Sequence, residues 1–185
     1  MNELTFVTGN DLKFSTAQHL CAQKGLTLIQ QDIETVEIQA ETGEPIAKHK
    51  ANEAFQKLQK PIIVTDDTWV IPGLNGFPGP YMKSINHWFT REDWLRLTLP
   101  LTDRTIILRQ VAVYQDEMEQ VCFTVDIKGT LLKEIRGEGS FPHLSILSFD
   151  GQRSEAEALA EGHSDTVGMH NVWMELTAWL EGRQA

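Results

Sequence analysis

The chain has 185 residues, 41% hydrophobic and 23% charged, with 16 Lys and Arg against 26 Asp and Glu for a formal net charge of −10. That length supports one substantial domain, at most two lobes sharing a sheet, with no independent second domain. The charge argues against binding nucleic acid polymers, which takes clustered Lys and Arg, yet it leaves room for a small polyanion held by a few lysines, a helix terminus and a divalent metal.

No apolar run is long enough to span a membrane, and the opening Met1-Asn2-Glu3-Leu4 lacks the basic start and apolar core of a signal peptide. The expectation is a cytoplasmic enzyme or binding protein with no membrane partner. The apolar run Leu4-Thr5-Phe6-Val7 reads as a strand, and Thr8-Gly9-Asn10-Asp11 as a tight turn into a helix over 11–24. Leu12, Phe14, Ala17, Leu20 and Cys21 line one face of that helix and Gly25 stops it. A second strand follows over 26–33. Glu44-Pro45 then opens a helix over 45–59, with Pro near its first turn and Pro61 beyond its end.

The run 61–65 reads as a short buried strand ending at Asp66-Asp67, and the Gly- and Pro-rich stretch 72–80 as irregular. A single helix is expected over 86–99, carrying Trp88, Phe89 and Trp94 as core or interface residues. Two long strands, 104–114 and 120–132, form a hairpin around Gln115-Asp116-Glu117; a further strand fits 144–149 and a closing helix 170–180. Cys21 and Cys122 match no metal or redox spacing and read as buried thiols. This order gives an α/β fold, a mixed sheet flanked by helices, with two lobes around a central cleft.

Three features carry chemistry. A strand, a tight turn and a helix start make an anion site, because the first N–H groups of a helix are unpaired and its dipole is positive there; Lys13, one turn in, adds charge. Asp66-Asp67 at a strand end places two carboxylates pointing in different directions, one able to face a metal while the other acts on water. Glu37, between Val36 and Ile38, offers a further oxygen ligand, and Mg²⁺ needs only one or two carboxylates when phosphates complete its shell. Each also has an ordinary structural reading: a helix cap, a turn, an exposed edge residue. Lys50, beside Lys48 within a helix, is on its own a solvated surface lysine.

Taken together, Thr8-Gly9-Asn10-Asp11-Leu12-Lys13, Glu37, Lys50-Ala51, Thr65-Asp66-Asp67-Thr68 and Leu74-Asn75-Gly76-Phe77-Pro78-Gly79-Pro80-Tyr81-Met82-Lys83 resemble the inosine triphosphate pyrophosphatase family in order and spacing. The resemblance implies a homodimeric, Mg²⁺-dependent hydrolase, with Mn²⁺ as a substitute, that cleaves inosine- or xanthosine-type nucleoside triphosphates to the monophosphate and pyrophosphate. It implies Asp67 and Lys13 as catalytic residues. Thr8, Gly9, Asn10, Lys13, Lys50, Thr68, Lys83 and His170 would bind substrate, and Glu37, Asp66 and Asp67 the metal.

The second half departs from the family pattern. Glu138 stands where the family has an aromatic, Ser140 where it has Tyr, and Phe141 where it has Asp; Asp165 replaces a lysine and Asn171 an arginine. Altered base recognition follows, because a site that reads a base edge rejects analogues through unpaired buried polar groups. A non-catalytic nucleotide-binding relative, or a hydrolase of another phosphorylated small molecule, is the alternative.

Overall fold

The computed structural model describes residues 3–162 and 164–184. The first strand, β1 (Glu3–Val7), lies between two parallel neighbours, β2 (Thr27–Gln31) and β3 (Ile62–Val70), paired in register Glu3 with Thr27 and Thr5 with Ile62. Parallel neighbours need crossover connections, and two helices supply them: α1 (Asp11–Ala22) and α2 (Gly43–Leu58). The helix predicted over 11–24 ends two residues early, because Gly25 at φ +70° turns the chain and donates to the Ala22 carbonyl at 3.0 Å. Ala17 and Cys21 are fully buried as expected, and the Leu12 side chain lies outside the described residues.

β3 corrects the expected strand over 61–65. It runs on through Asp66, Asp67 and Thr68, so the carboxylates sit mid-strand and not at its end. After a 3₁₀ turn (Pro72–Leu74), the two-residue β4 (Pro78–Gly79) pairs antiparallel with β3, within the stretch expected to be irregular.

The single helix expected over 86–99 is two, α3 (Met82–Trp88) and α4 (Arg91–Thr98). Thr90 breaks them apart: its hydroxyl accepts from the Asp93 N–H at 3.1 Å while the Asp93 carboxylate accepts from the Thr90 N–H at 3.0 Å, a reciprocal cap that starts a new helix. Trp94 is wholly buried and Phe89 packs against the same core, whereas Trp88 is exposed.

The long hairpin is present as β5 (Thr105–Gln115) and β6 (Gln120–Leu131), turned by Asp116, whose carboxylate accepts from the Met118 and Glu119 N–H groups. The strand expected over 144–149 shrinks to β7 (Leu147–Ser148), because Pro142 begins a 3₁₀ turn (Pro142–Ser145) that claims the first two residues of the run. A helix not foreseen, α5 (Glu155–Ala160), starts at Ser154 with a second reciprocal cap to Glu157. The closing helix is α6 (Val172–Gln184), later at both ends than expected.

The mixed sheet has the order β2-β1-β3-β5-β6-β7, with β4 beside β3. The chain divides into two compact units, Met1–Asp67 with Gln110–Val125 and Asn171–Ala185, and Thr68–Arg109 with Asp126–His170. The first packs Ala47, Ala51 and Ala54 of α2 on Ile62, Val64, Val111 and Val113; the second is built around Ile71, Trp94, Ile106, Ile146 and Leu147. Among the described residues no helix is long and apolar enough to cross a membrane.

Candidate functional site

The β1–α1 turn is closed by its own side chains. Asn10 caps α1, its Oδ1 accepting from the Lys13 N–H at 2.9 Å, and the Asn10 N–H donates to Thr8 Oγ1 at 3.1 Å. Gly9 leaves the space that the Asp32 carboxylate fills: a Cβ there would come within 2.9 Å of Asp32 Oδ1. From the neighbouring strand, Gln30 Nε2 donates to both the Thr8 carbonyl (3.2 Å) and Asp11 Oδ1 (3.1 Å), bridging the two sides of the turn. Sequence reasoning passed over Gln30; a polar pair, Gln30-Gln31, ending an otherwise apolar strand beside the turn was its signal.

On β3, successive side chains alternate in direction, and Asp66 and Asp67 take different partners. Lys13 Nζ lies 2.8 Å from Asp67 Oδ2. Lys50, on α2, reaches Glu37 Oε1 at 2.9 Å and Asp66 Oδ1 at 3.2 Å. The structure thus brings together Lys13 with Asp67, and Glu37 and Asp66 around Lys50. Lys50 is not the solvated lysine its sequence neighbourhood suggests, since its side chain is only 17% exposed.

The electrostatics of this group follow from burial. Burial pulls the Lys50 ammonium down, but the hydrogen bond to Glu37 and the charge of Asp66 outweigh it, and its pKa is raised. For Asp66 burial prevails over the two nearby lysines, and its pKa is raised as well. Three carboxylates face two ammonium groups here. The resulting net negative charge repels a triphosphate unless a cation accompanies it.

Whether a divalent metal fits is decided by the donors. Glu37, Asp66 and Asp67 supply hard carboxylate oxygens, and beyond them the buried Thr68 Oγ1 has no hydrogen-bond partner among the described residues. Among the described residues no three His, Cys, Asp or Glu side chains form a ready-made cage. Carboxylates set in this way can share a divalent cation whose remaining shell is filled by water and phosphate oxygens. The residues present fit the group.

A sequence model of the Ham1 family matches residues 4–165. The chain belongs to the Ham1 family. Several relatives bear the name dITP/XTP pyrophosphatase: that of Methanosarcina acetivorans is 32% identical over 152 residues, 82% of this chain and 83% of its own length. That of Thermococcus kodakarensis is 28% identical over 179 residues, 96% of this chain and 97% of its own. The Ham1 fold is shared with the solved structures of a HAM1 protein from Coxiella burnetii, with TM-score 0.78, 20% identity and coverage of 98% of this chain and 100% of that one. The Ham1 protein of Staphylococcus aureus has TM-score 0.74 and 22% identity, covering 98% and 99%. The resemblance read from the motifs is borne out at the level of the family and of the α/β fold.

The remaining expected residues of this Ham1 chain lie in or next to the second unit. Lys83 is exposed near the start of α3, and His170 is exposed just before α6, past the residues matched by the family. Glu138 and Ser140 are exposed; Phe141 is 48% exposed, its ring 6.2 Å from that of His143. His143, which sequence reasoning did not single out, is buried, with Nδ1 within hydrogen-bond reach of the Asn86 amide and a pKa held down to about 3 by burial. Asp165 is 2.5 Å from Arg153, which also meets Glu161. Asn171 is buried and caps α6, its Oδ1 accepting from the Trp173 N–H at 3.1 Å. The departures at 165 and 171 therefore have internal partners of their own.

Proposed function

We propose that this Ham1-family chain is a nucleoside triphosphate pyrophosphatase, hydrolysing purine triphosphates of the inosine or xanthosine type to the monophosphate and pyrophosphate. The observation that carries it is the pairing of Lys13 with Asp67 and of Lys50 with Glu37 and Asp66 beside a capped strand-turn-helix. The dITP/XTP pyrophosphatase relatives support the substrate class.

In this reading the Thr8–Asn10 turn and the α1 N-terminus bind phosphate oxygens, and Lys13, Lys50, Lys83 and His170 add donors. Glu37, Asp66 and Asp67 hold Mg²⁺, or Mn²⁺ in its place. When bound, the cation neutralises phosphate charge and acidifies water. Asp67 orients the attacking water and takes its proton, and the water oxygen forms its bond to the α-phosphorus as the bond to the pyrophosphate oxygen breaks. Lys13 and Lys50 stabilise the charge that develops on the transferred group and on the leaving pyrophosphate. Thr68, with its unpartnered buried hydroxyl, donates to a phosphate oxygen. A cytoplasmic homodimer completes the proposal.

The test is pyrophosphate release with Mg²⁺ across inosine, xanthosine, guanosine, adenosine and pyrimidine triphosphates, beside Asp67→Asn. Release from the inosine and xanthosine triphosphates, lost in the variant, supports the reading. Tight nucleotide binding with no release from any of them contradicts it and marks a non-catalytic relative.

A further inference from the structure

Glu37 sits in a segment, 32–42, that belongs to neither helix nor strand, so no backbone ladder fixes its position. One face of α2 does. Lys50, Glu53 and Lys57 are spaced i, i+3 and i+7, which places them along a single helix face. Each reaches the segment: Lys50 Nζ donates to Glu37 Oε1 at 2.9 Å, the Val36 N–H donates to Glu53 Oε2 at 2.7 Å, and Lys57 Nζ donates to the Glu34 carbonyl at 2.6 Å.

The contact from Glu53 is the decisive one. It grips the peptide N–H of the residue immediately before Glu37, and a carboxylate accepting from a backbone N–H makes a hydrogen bond about twice as strong as a neutral pair. Glu53 is also half-buried, whereas Lys57 is exposed. Without such a grip, Glu37 would reach a cation only after its own stretch of chain had been ordered, at a cost in conformational entropy.

We infer that Glu53 is a positioning residue for Glu37, with Lys57 in support, setting cation affinity by holding the backbone and not by touching the cation. The inference rests on the reading of Glu37 as a cation ligand. Glu53 was not among the site residues recognisable by motif, because its partner is a backbone N–H that sequence does not reveal.

Mn²⁺ alone, titrated into the full chain and followed by the loss of the free-ion EPR signal, separates the possibilities, with thermal melts recorded beside it to confirm folding. Glu53→Ala is expected to weaken Mn²⁺ binding about tenfold, equivalent to about 1.4 kcal/mol. Glu53→Gln keeps a neutral oxygen that accepts from Val36 and is expected to lose clearly less affinity than Glu53→Ala, as is Lys57→Met. Should Glu53→Gln bind as weakly as Glu53→Ala, Glu53 acts through its charge on the cation and the positioning role is overturned. It is equally overturned if Glu37→Gln loses Mn²⁺ while Glu53→Ala and Lys57→Met bind as the wild type does. If the wild type takes up no Mn²⁺, or Glu37→Gln binds it unchanged, the failure lies one step earlier, in the reading of Glu37.

Discussion

Asp66 and Asp67 are neighbours on one strand, yet they take different partners. Asp67 is paired with the half-buried Lys13 at 2.8 Å, while Asp66, the less exposed of the two carboxylates, meets Lys50 at 3.2 Å. In the proposed reaction Asp67 handles the water, so Asp67→Asn is expected to lower kcat by about 10²–10⁴-fold with little change in KM, a split that steady-state kinetics reads directly. Asp66 has a pKa raised by burial. Its folded form therefore holds a proton more tightly than the unfolded chain does, and stability from this residue falls as pH rises from about 3.8 through the raised value. In EDTA at neutral pH, Asp66→Asn is thus expected to melt above the wild type, the difference vanishing in acid; calorimetry at both ends of the range checks it. The identities of these residues were legible in sequence, since an Asp pair after an apolar run is conspicuous. Their exact partners were not. Lys50 looked like surface beside Lys48, because only the fold shows that α2 turns it toward Asp66.

At the level of elements, boundaries were set by short polar signals that compete with hydrophobic pattern. The helix expected over 86–99 followed its apolar residues, but Thr90 and Asp93 form a reciprocal cap strong enough to begin a new helix inside it. The same signature, Ser154 with Glu157, would have revealed α5 had it been applied there. The short apolar run 144–149 was ambiguous by nature, since periodicity cannot separate a strand from a buried turn over so few residues. Asn171 shows why a departure from a family pattern needs a structural reading. It is 3% exposed and caps α6, so Asn171→Arg, which restores the family residue, is expected to destabilise the chain by about 1 kcal/mol or more through loss of the cap. Urea denaturation measures that loss. A gain in stability would mean that the cap is not what holds position 171.

For the molecule as a whole, acid sensitivity is concentrated in one buried group. His143 has its pKa held down to about 3 by burial, against an ordinary 6.5. Below pH 6.5 the unfolded chain takes up a proton that the folded chain refuses, so the contribution of neutral His143 is complete above 6.5 and is lost as pH falls toward 3, at about 1.4 kcal/mol per pH unit. Asp116, held down to about 2, loses its contribution only below 3.8, so between 4 and 6.5 the loss on acidification comes from His143, opposed by Asp66 and Glu155, whose pKa values burial raises. His143→Leu is expected to flatten the melting temperature across that window; a slope unchanged from the wild type would contradict it. The ion-paired candidates Lys13, Glu37, Lys50, Asp66 and Asp67 all fall in the first unit, and the departures at 138, 140, 141 and 165 in the second. The grouping of Lys13, Lys50, Glu37, Asp66 and Asp67 was readable from motifs because backbone turns and carboxylates recur with fixed spacing, whereas the positions at 138, 140 and 141 depend on side chains that motifs do not place. The central claim is hydrolysis at the α-phosphorus. Inosine triphosphate turned over in H₂¹⁸O, with products resolved by ³¹P NMR and mass spectrometry, tests it most directly. Inosine monophosphate carrying the label together with unlabelled pyrophosphate is the expected result; inosine diphosphate with labelled inorganic phosphate would contradict it.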